Sequence, residues 1–156
     1  MTAESPLADN RARLEAVFRG DAYVDGLGAD LVEWDGGCAV YRLPTGGGHG
    51  NFVGSIHGGA LFSLADAALG VACNSWGRIC LALTIETQFL SAPVAGEVLV
   101  ATAVERSRTR RTAAYAIDVV SEGDRTLRAA FSAMVFRTGR WHLGAEAWPD
   151  EWRETH

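Results

Sequence analysis

One long apolar segment, Ala60–Cys73, constrains the fold of this chain more than any other feature of its sequence. Drawn as a helix, it carries leucine, valine, alanine and Phe62 on nearly every side, and such a helix is buried rather than laid on a surface. We predict that the helix runs over His57–Trp76. Gly77 would end it, because glycine readily takes the left-handed conformation that closes a helix. A sheet must then curl around the helix to bury it.

A narrow strip of small and polar residues interrupts this apolar helix. At 100° per residue its members fall within a stripe roughly 80° wide; they are Ser63, Asp66, Gly70 and Asn74. An ionisable carboxylate is expensive to bury without a partner. The strip must therefore meet polar partners, another subunit or a ligand.

The other predicted elements are one more helix and six strands. Leu7–Arg19 places its apolar residues on one side, which predicts a short amphipathic helix. The predicted strands alternate in polarity or are bounded by glycine turns; they are Leu27–Trp34, Cys38–Leu43, Leu81–Leu90, Glu97–Arg106, Thr112–Ser121 and Thr126–Thr138. A long helix followed by an antiparallel meander is an α+β pattern.

A chain of 156 residues is long enough for one domain with a substantial core. We predict a single domain over 1–156, with an N-terminal helical segment at 1–25 and a tryptophan-containing extension at 139–156. Two tryptophans of this extension are spaced to dock as a helical turn on the domain or on its partner. Thr45–Ser55 is rich in glycine and is predicted to be a mobile loop. Because no Gly-Lys-Ser/Thr follows it, a phosphate-binding P-loop is disfavoured.

Composition excludes several classes of function. The net charge of −5 gives no reason to expect nucleic acid or an anionic membrane surface as a partner. The longest apolar stretch is too short to span a bilayer, and the N-terminus lacks the apolar core of a signal peptide. The three cysteines have no CxxC spacing, which argues against a disulfide framework and a metal site; they are Cys38, Cys73 and Cys80. We therefore expect a cytoplasmic protein without a bound metal.

The start of the long helix and its carboxylate suggest catalysis. Gly58 and Gly59 follow His57 where backbone N–H groups lack intrahelical partners, and these donors could hold a developing oxyanion. The alternative is that the glycines only permit a tight turn into the helix. Asp66 could be a general base or a nucleophile with a pKa raised by apolar surroundings, or a locally hydrogen-bonded structural carboxylate.

Two further groups have both a functional and a structural interpretation. His57 could cap the helix or orient the site, and Asn51 could satisfy loop backbone or hold the substrate or the attacking water. A run of arginines could be a solvated strand edge or a seat for phosphate groups; its members are Arg106, Arg108, Arg110 and Arg111.

At these residues the sequence resembles the hotdog-fold acyl-CoA thioesterases of the phenylacetate-pathway (PaaI-type) group, over roughly Gly26 to Arg137. The matching elements around the helix are Asn51, His57-Gly58-Gly59, Phe62–Asp66 and Ala72–Ser75. Downstream, the matching pieces are Phe89-Leu90, Pro93, Gly96, Arg108–Thr112 and Tyr115. The resemblance implies an antiparallel sheet wrapped around the long helix. It also implies active sites between the two subunits of a homodimer, often within a dimer of dimers.

The resemblance further implies hydrolysis of an acyl-CoA thioester to a free acid and coenzyme A, with no metal or redox cofactor. Gly59 would polarise the carbonyl, and Asp66 of the facing subunit would be the base or nucleophile. Asn51 and His57 would position the reactants. Residues expected to contact the substrate or its coenzyme A are Gly58, Ser63, Arg108, Arg110 and Arg111. Aryl-acyl groups such as phenylacetyl are the first expectation for the acyl part, in keeping with phenylacetate catabolism.

Two other functions are compatible with the same scaffold. An acyl-CoA-binding or regulatory module would need an effector segment, for which 156 residues leave no obvious room. A hotdog-fold hydratase would pair an aspartate with a histidine on its active-site helix, whereas this chain has Asp66 and a histidine only at the helix start.

Overall fold

The computed structural model describes residues 5–156, so the first four residues of the predicted N-terminal segment lie outside it. The predicted first helix is confirmed as α1, Pro6–Phe18, which begins where the Ser5 side chain accepts from the Leu7 N–H at 3.2 Å. Helix α2, Ala22–Leu27, follows directly.

Helix α2 corrects the predicted strand Leu27–Trp34, whose first three residues are not extended. The Asp21 carboxylate caps α2 by accepting from two backbone N–H groups, and Gly28 ends it with φ 76°. A short helix with a good cap at each end thus takes the place of the strand start. The strand itself, β1, covers Asp30–Asp35.

The described residues form one antiparallel six-stranded sheet in the order β1-β2-β4-β5-β6-β3. Its other strands are β2 Cys38–Pro44, β3 Arg78–Phe89, β4 Val98–Arg108, β5 Thr112–Ser121 and β6 Leu127–Trp141. Strand β3 starts three residues earlier than predicted because Gly77, at φ 88°, reverses the chain at once. Strand β6 runs into the predicted extension because Trp141 pairs with Arg78.

The predicted central helix is α3, Gly58–Asn74, with His57 as its N-cap. Its leucines and alanines pack against the inner face of the sheet and form one continuous core with α1, α2 and Trp148. As expected, α3 is buried except along its polar strip, where Asp66 and Gly70 face outward; Phe62, expected in the buried part, is 37% exposed in the single chain. The long helix held in a curled antiparallel sheet confirms the predicted α+β hotdog architecture.

Strand β3 lies at one edge of the sheet and carries large apolar side chains that no other described part of the chain covers. Leu81 and Leu83 are 53% and 57% exposed, and Phe89 at the strand end is also exposed. An edge strand with free backbone groups and apolar side chains is a template for pairing with another strand.

The C-terminal extension docks on its own domain. A short helix, α4 (Asp150–Thr155), follows Trp148, which is 2% exposed and donates its indole N–H to the His142 carbonyl at 2.9 Å. Gly77 makes room for this ring, since a Cβ there would lie 2.2 Å from Trp148. Across residues 5–156 no helix is long and apolar enough to cross a membrane.

Candidate active site

His57 caps the start of α3. The Nδ1 atom of His57 accepts from the Gly59 N–H at 2.8 Å, so the ring occupies the donor expected to hold an oxyanion. Side chains pack closely against both glycines: a Cβ on Gly59 would lie 2.9 Å from this Nδ1, and one on Gly58 would lie 3.2 Å from the Phe89 ring. The tight turn into the helix is therefore real, and the Gly59 N–H lies at the positive end of the helix dipole.

Asn51 organises the loop that precedes α3. Its Oδ1 accepts from the Val53 and Ser55 backbone N–H groups at 3.0 Å, and its Nδ2 donates to the Ser55 hydroxyl at 2.8 Å. Most of the hydrogen-bonding capacity of this amide is thus used inside the loop. Asn51 also borders a small cavity beside Gly58 and Phe89.

Asp66 lies in a groove of about 470 Å³ between α3, α2 and the start of β3, which we call the Asp66 groove. Its polar lining residues are Asp21, Tyr23, Tyr41, Ser63, Asp66, Asn74 and His142. The rest of the lining is mainly apolar, and includes Phe18, Leu69, Val71, Ile79 and Leu81. A carboxylate beside apolar walls with a few convergent polar groups is typical of a small-molecule site.

The Asp66 carboxylate is uncommitted. No hydrogen bond or ion pair within residues 5–156 reaches its side chain, and the Ser63 hydroxyl instead pairs with the Tyr23 hydroxyl at 2.7 Å. Burial in the groove, with a smaller contribution from the negative charge of Asp21, raises the pKa of the Asp66 carboxyl above its ordinary value. This arrangement disfavours the structural interpretation, which needs a local partner.

Asn74 at the end of α3 is structural. Its Oδ1 accepts from the Cys80 N–H at 2.9 Å and from the His142 Nε2 at 2.8 Å, while its Nδ2 donates to the Gly70 carbonyl at 2.9 Å. Burial lowers the pKa of the His142 imidazole. The polar strip of α3 therefore has two parts. At Asn74 the side chain is hydrogen-bonded to its neighbours, whereas the Asp66 side chain faces the groove without such bonds.

Asp21 and Tyr23 are site residues that sequence reasoning missed. Both belong to the region of α2, which the sequence pattern did not predict as a helix. The sequence does carry a local signal for α2, because an aspartate at the start of a short segment and a glycine, Gly28, at its end are typical of a capped helix. Their proximity to Asp66 depends on the packing of α2 against α3, which no local pattern shows.

The structure does not bring the predicted groups of one chain to a common point. Asp66 follows Gly59 by seven positions, about 10 Å along the helix axis, so the two cannot contact one thioester in the same chain. The arginine run lies at the opposite end of α3, roughly 25 Å from Gly59. There Arg108 pairs with Glu105 at 3.3 Å and its guanidinium stacks 4.4 Å above the Trp76 ring.

Arg110 and Arg111 lie exposed in the turn between β4 and β5. All three cysteines carry free thiols. No group of three or more His, Cys, Asp or Glu side chains converges in a metal-binding geometry in the described part of the chain.

Comparison with known proteins identifies the family. The thioesterase superfamily matches residues 53–128, which contain all of α3 and β3. The acyl-coenzyme A thioesterase PaaI of Escherichia coli K12 is 37% identical over 124 residues, or 80% of this chain and 88% of that protein. A putative esterase of Archaeoglobus fulgidus is 32% identical over 73% of this chain and 74% of its own length.

Solved structures agree with the sequence matches. The structure of the E. coli PaaI protein from the phenylacetic acid degradation operon matches with a TM-score of 0.80 and 34% identity, covering 88% of this chain and 96% of that one. A mutant structure of the phenylacetic acid degradation protein PaaI from Thermus thermophilus matches with a TM-score of 0.72 and 36% identity, over 76% of this chain and all of that one. The chain belongs to the thioesterase superfamily and, within it, to the PaaI family of hotdog-fold acyl-CoA thioesterases.

Proposed function

We propose that this protein hydrolyses acyl-CoA thioesters, with an aryl-acyl group as the preferred acid. The observation that carries the proposal is the unpartnered Asp66 carboxylate in an apolar groove, on the helix that presents the Gly59 N–H at its start. An ionised carboxylate held free of local partners is available to activate water or to attack a carbonyl.

The complete site is formed by two copies of the chain. Because Gly59 and Asp66 of one helix are about 10 Å apart, they serve one thioester only if Asp66 comes from a facing subunit. Antiparallel pairing of two β3 strands about a twofold axis would cover Leu81 and Leu83 and bring two α3 helices side by side. The working unit is therefore a homodimer, alone or within a dimer-of-dimers tetramer.

In this site the thioester carbonyl oxygen takes the place of His57 Nδ1 on the Gly59 N–H. The donor then serves the oxyanion, and the helix dipole favours the negative charge that develops there. Displaced from this bond, the His57 ring positions the reactants together with the loop that Asn51 organises.

Asp66 supplies the chemistry on the other side of the carbonyl. As a base it takes a proton from water, the hydroxide adds to the carbonyl carbon, and the carbon–sulfur bond breaks as the departing thiolate regains a proton. As a nucleophile it forms an acyl anhydride that water then hydrolyses to the acid. Both routes need Asp66 ionised, and both release free coenzyme A.

The acyl and coenzyme parts contact different surfaces. The apolar wall of the Asp66 groove suits a flat ring, with Ser63 and Tyr23 at its polar side. Gly58 borders the small cavity at the helix start, through which the thioester would approach. The exposed Arg110 and Arg111, together with the half-buried Arg108, are the proposed contacts for the coenzyme A phosphates.

The reaction needs no metal or redox cofactor, because a carboxylate, water and oxyanion donors suffice for acyl transfer to water. Three free thiols are typical of a reducing compartment and support a cytoplasmic location. The excess of acidic residues gives no support to a nucleic-acid or membrane partner.

The deciding experiment measures thiol release with a thiol-reactive dye over a panel of acyl-CoA substrates. We expect the highest kcat/KM for phenylacetyl and hydroxyphenylacetyl-CoA, and lower values for short aliphatic acyl groups. Binding of acyl-CoA without thiol release would instead indicate a binding or regulatory module. Addition of water to an enoyl-CoA with the thioester intact would indicate a hydratase.

A further inference from the structure

A second cavity, of about 740 Å³, lies at the end of the molecule where α3 stops, and arginine side chains dominate its lining. We call it the arginine pocket; its lining residues are Arg78, Arg108, Thr109, Arg110, Arg137, Arg153, Glu154 and Thr155. Only Arg108 and Arg110 belong to the run visible in the sequence. The others come from β3, β6 and α4, so the fold collects five guanidinium groups from four places in the chain.

The arginine pocket has an excess of positive charge. Within residues 5–156 the ion pairs formed by its arginines are Arg108 with Glu105 at 3.3 Å and Arg153 with Asp150. Arg108 is not the only partner of the Glu105 carboxylate, which also accepts hydrogen bonds from the Tyr115 hydroxyl and the Trp76 indole N–H. Glu154 is the only acidic residue among the described lining residues.

Several of its guanidinium groups are buried with N–H groups to spare. Arg137 is 6% exposed. The Nε of Arg78 and the Nη1 of Arg108 are buried and have no hydrogen-bond partner in the described structure. Burial, followed by repulsion from neighbouring guanidinium groups, lowers the pKa of both Arg78 and Arg137. Unpaired buried donors and mutual repulsion are costly unless an anion enters.

Part of the cluster is also structural. Arg78 donates to the Arg110 and Arg153 carbonyls, at 3.4 and 2.9 Å, and Arg137 donates to the Thr109 carbonyl. These bonds tie the turn between β4 and β5 to α4. Neutral carbonyls do not compensate the charges of Arg78, Arg110 and Arg137, which have no ion-pair partner within residues 5–156. Fastening the chain therefore does not account for the charge.

The C-terminal extension closes one side of the arginine pocket. Stacked aromatic rings hold the extension in place. The centroid of the His156 ring lies 3.9 Å from that of Trp152 and 4.5 Å from that of Trp76, and the ring centroids of Trp148 and Trp152 are 6.0 Å apart. Helix α4 thereby presents Arg153 and Thr155 to the cavity. Several planar guanidinium groups that line one cavity match the oxygens of a phosphate.

We propose that the arginine pocket binds a phosphate group, and that α4 completes this site. Two sources share this chemistry: the phosphate-bearing nucleotide end of coenzyme A, and free phosphate or diphosphate. The first rests on the proposed function. It also requires the paired β3 strands, which would place the Arg78 end of one chain near the Phe89 end of its partner, beside the partner's helix start.

Calorimetric titration without any thioester tests the site. The probes are pyrophosphate and adenosine 3′,5′-bisphosphate, with pantetheine as the phosphate-free control. We expect both phosphate probes to bind, and to bind more weakly as salt rises, because screening weakens charge pairing. Tighter binding of the nucleotide than of pyrophosphate would identify the coenzyme end as the occupant, and equal affinities would identify free phosphate or diphosphate.

Substitutions locate the binding. Arg110→Gln should weaken it about three- to tenfold, and Arg78→Gln about tenfold or more, in line with the strength of charge-assisted hydrogen bonds. Arg140→Gln is the matched control, since Arg140 is an exposed arginine at the end of β6 outside the lining. Arg110 makes no side-chain hydrogen bond in the described structure, so its variant should keep the wild-type melting temperature.

Two outcomes would overturn the site: no heat of binding with millimolar pyrophosphate or nucleotide, or equal weakening by Arg140→Gln and Arg110→Gln. Thiol release is measured separately on the same samples. Hydrolysis without phosphate binding rejects the arginine pocket and leaves the thioesterase function intact. Phosphate binding without hydrolysis supports the arginine pocket and rejects the thioesterase function.

Discussion

At position 66 the chain keeps a carboxylate without a hydrogen-bond or ion-pair partner among residues 5–156, on a helix packed with leucine and alanine. In the single chain this carboxylate faces the open Asp66 groove, so it is accessible to a ligand or to a second subunit. Its neighbour Ser63 bonds to Tyr23 instead. A carboxylate without a local partner is free to take a proton from water or to attack a carbonyl.

Asp66→Asn should lower kcat for acyl-CoA hydrolysis by about 10³-fold, because general acid–base catalysis alone contributes roughly 10²–10⁴. Steady-state thiol release measures the change. Asp118→Asn on β5, an exposed aspartate outside the Asp66 groove, is the control and should stay near wild type. Retention of more than about a third of wild-type kcat by Asp66→Asn would show that the proposed chemistry is wrong.

Asp21 tunes Asp66 through charge. Its negative charge disfavours a second ionised carboxylate nearby and so contributes to the raised Asp66 pKa. Asp21→Asn should lower that pKa and move the acid limb of the kcat/KM profile to lower pH, since Asp66 must be ionised to act. Asparagine still caps α2, so the helix should persist.

The pH profile of Asp25→Asn, on the same helix, supplies the comparison for Asp21→Asn. Asp25 does not line the Asp66 groove, and its variant should leave the acid limb in place. An acid limb that stays fixed in Asp21→Asn would mean that Asp21 does not influence the group that titrates.

At the scale of elements, the C-terminal extension is an integral part of the core. Trp148 fills the space above Gly77, at the turn from α3 into β3, and stacks between Trp141 and Trp152. The element that closes the arginine pocket therefore also covers the end of the central helix. Its removal would affect stability and the proposed phosphate site together.

Trp148→Ala should reduce the free energy of unfolding by about 3–5 kcal/mol, the usual range for deleting a buried large aromatic side chain. Urea denaturation at one fixed protein concentration measures it, because stability depends on concentration if the chain assembles. Val32→Ala, at a position 54% exposed on β1, should change stability by less than about 0.5 kcal/mol. Equal losses in both variants would contradict the docking role of Trp148.

At the scale of the whole molecule, two sheet edges differ in character. Strand β1 and strand β3 both lie at an edge, but β3 is the longer and presents Leu81 and Leu83 beside the open face of α3. A second copy paired along β3 would bury these side chains and bring Asp66 of one chain toward Gly59 of the other. The proposed shared site therefore predicts that assembly and catalysis are coupled.

Light scattering should give a mass of at least twice 16.7 kDa for the wild-type protein. Leu83→Lys should shift the mass to that of a single chain and abolish hydrolysis, because a buried charge opposes strand pairing and the site needs both copies. Val32→Lys, at the other sheet edge, should leave mass and activity unchanged. An active 16.7 kDa species would exclude a shared site.

Local pattern in the sequence determined the elements and their type. The apolar period of α3, its glycine pair and the glycine turns set the helix, most strands and the antiparallel α+β class, since these signals act between near neighbours. The same patterns singled out Asp66 as chemically unusual. The capped helix α2 was missed because its six residues carry little periodicity.

Tertiary structure alone decided which of these groups meet. It placed Asp21 and Tyr23 beside Asp66, turned the Gly59 N–H to His57, and set the arginine run at the far end of α3 from Gly59. It also joined Arg78, Arg137 and Arg153 to that run in one cavity. Residues distant in sequence come together only when strands pair and helices pack. The local periodicity of a sequence does not show which of these distant residues will contact one another.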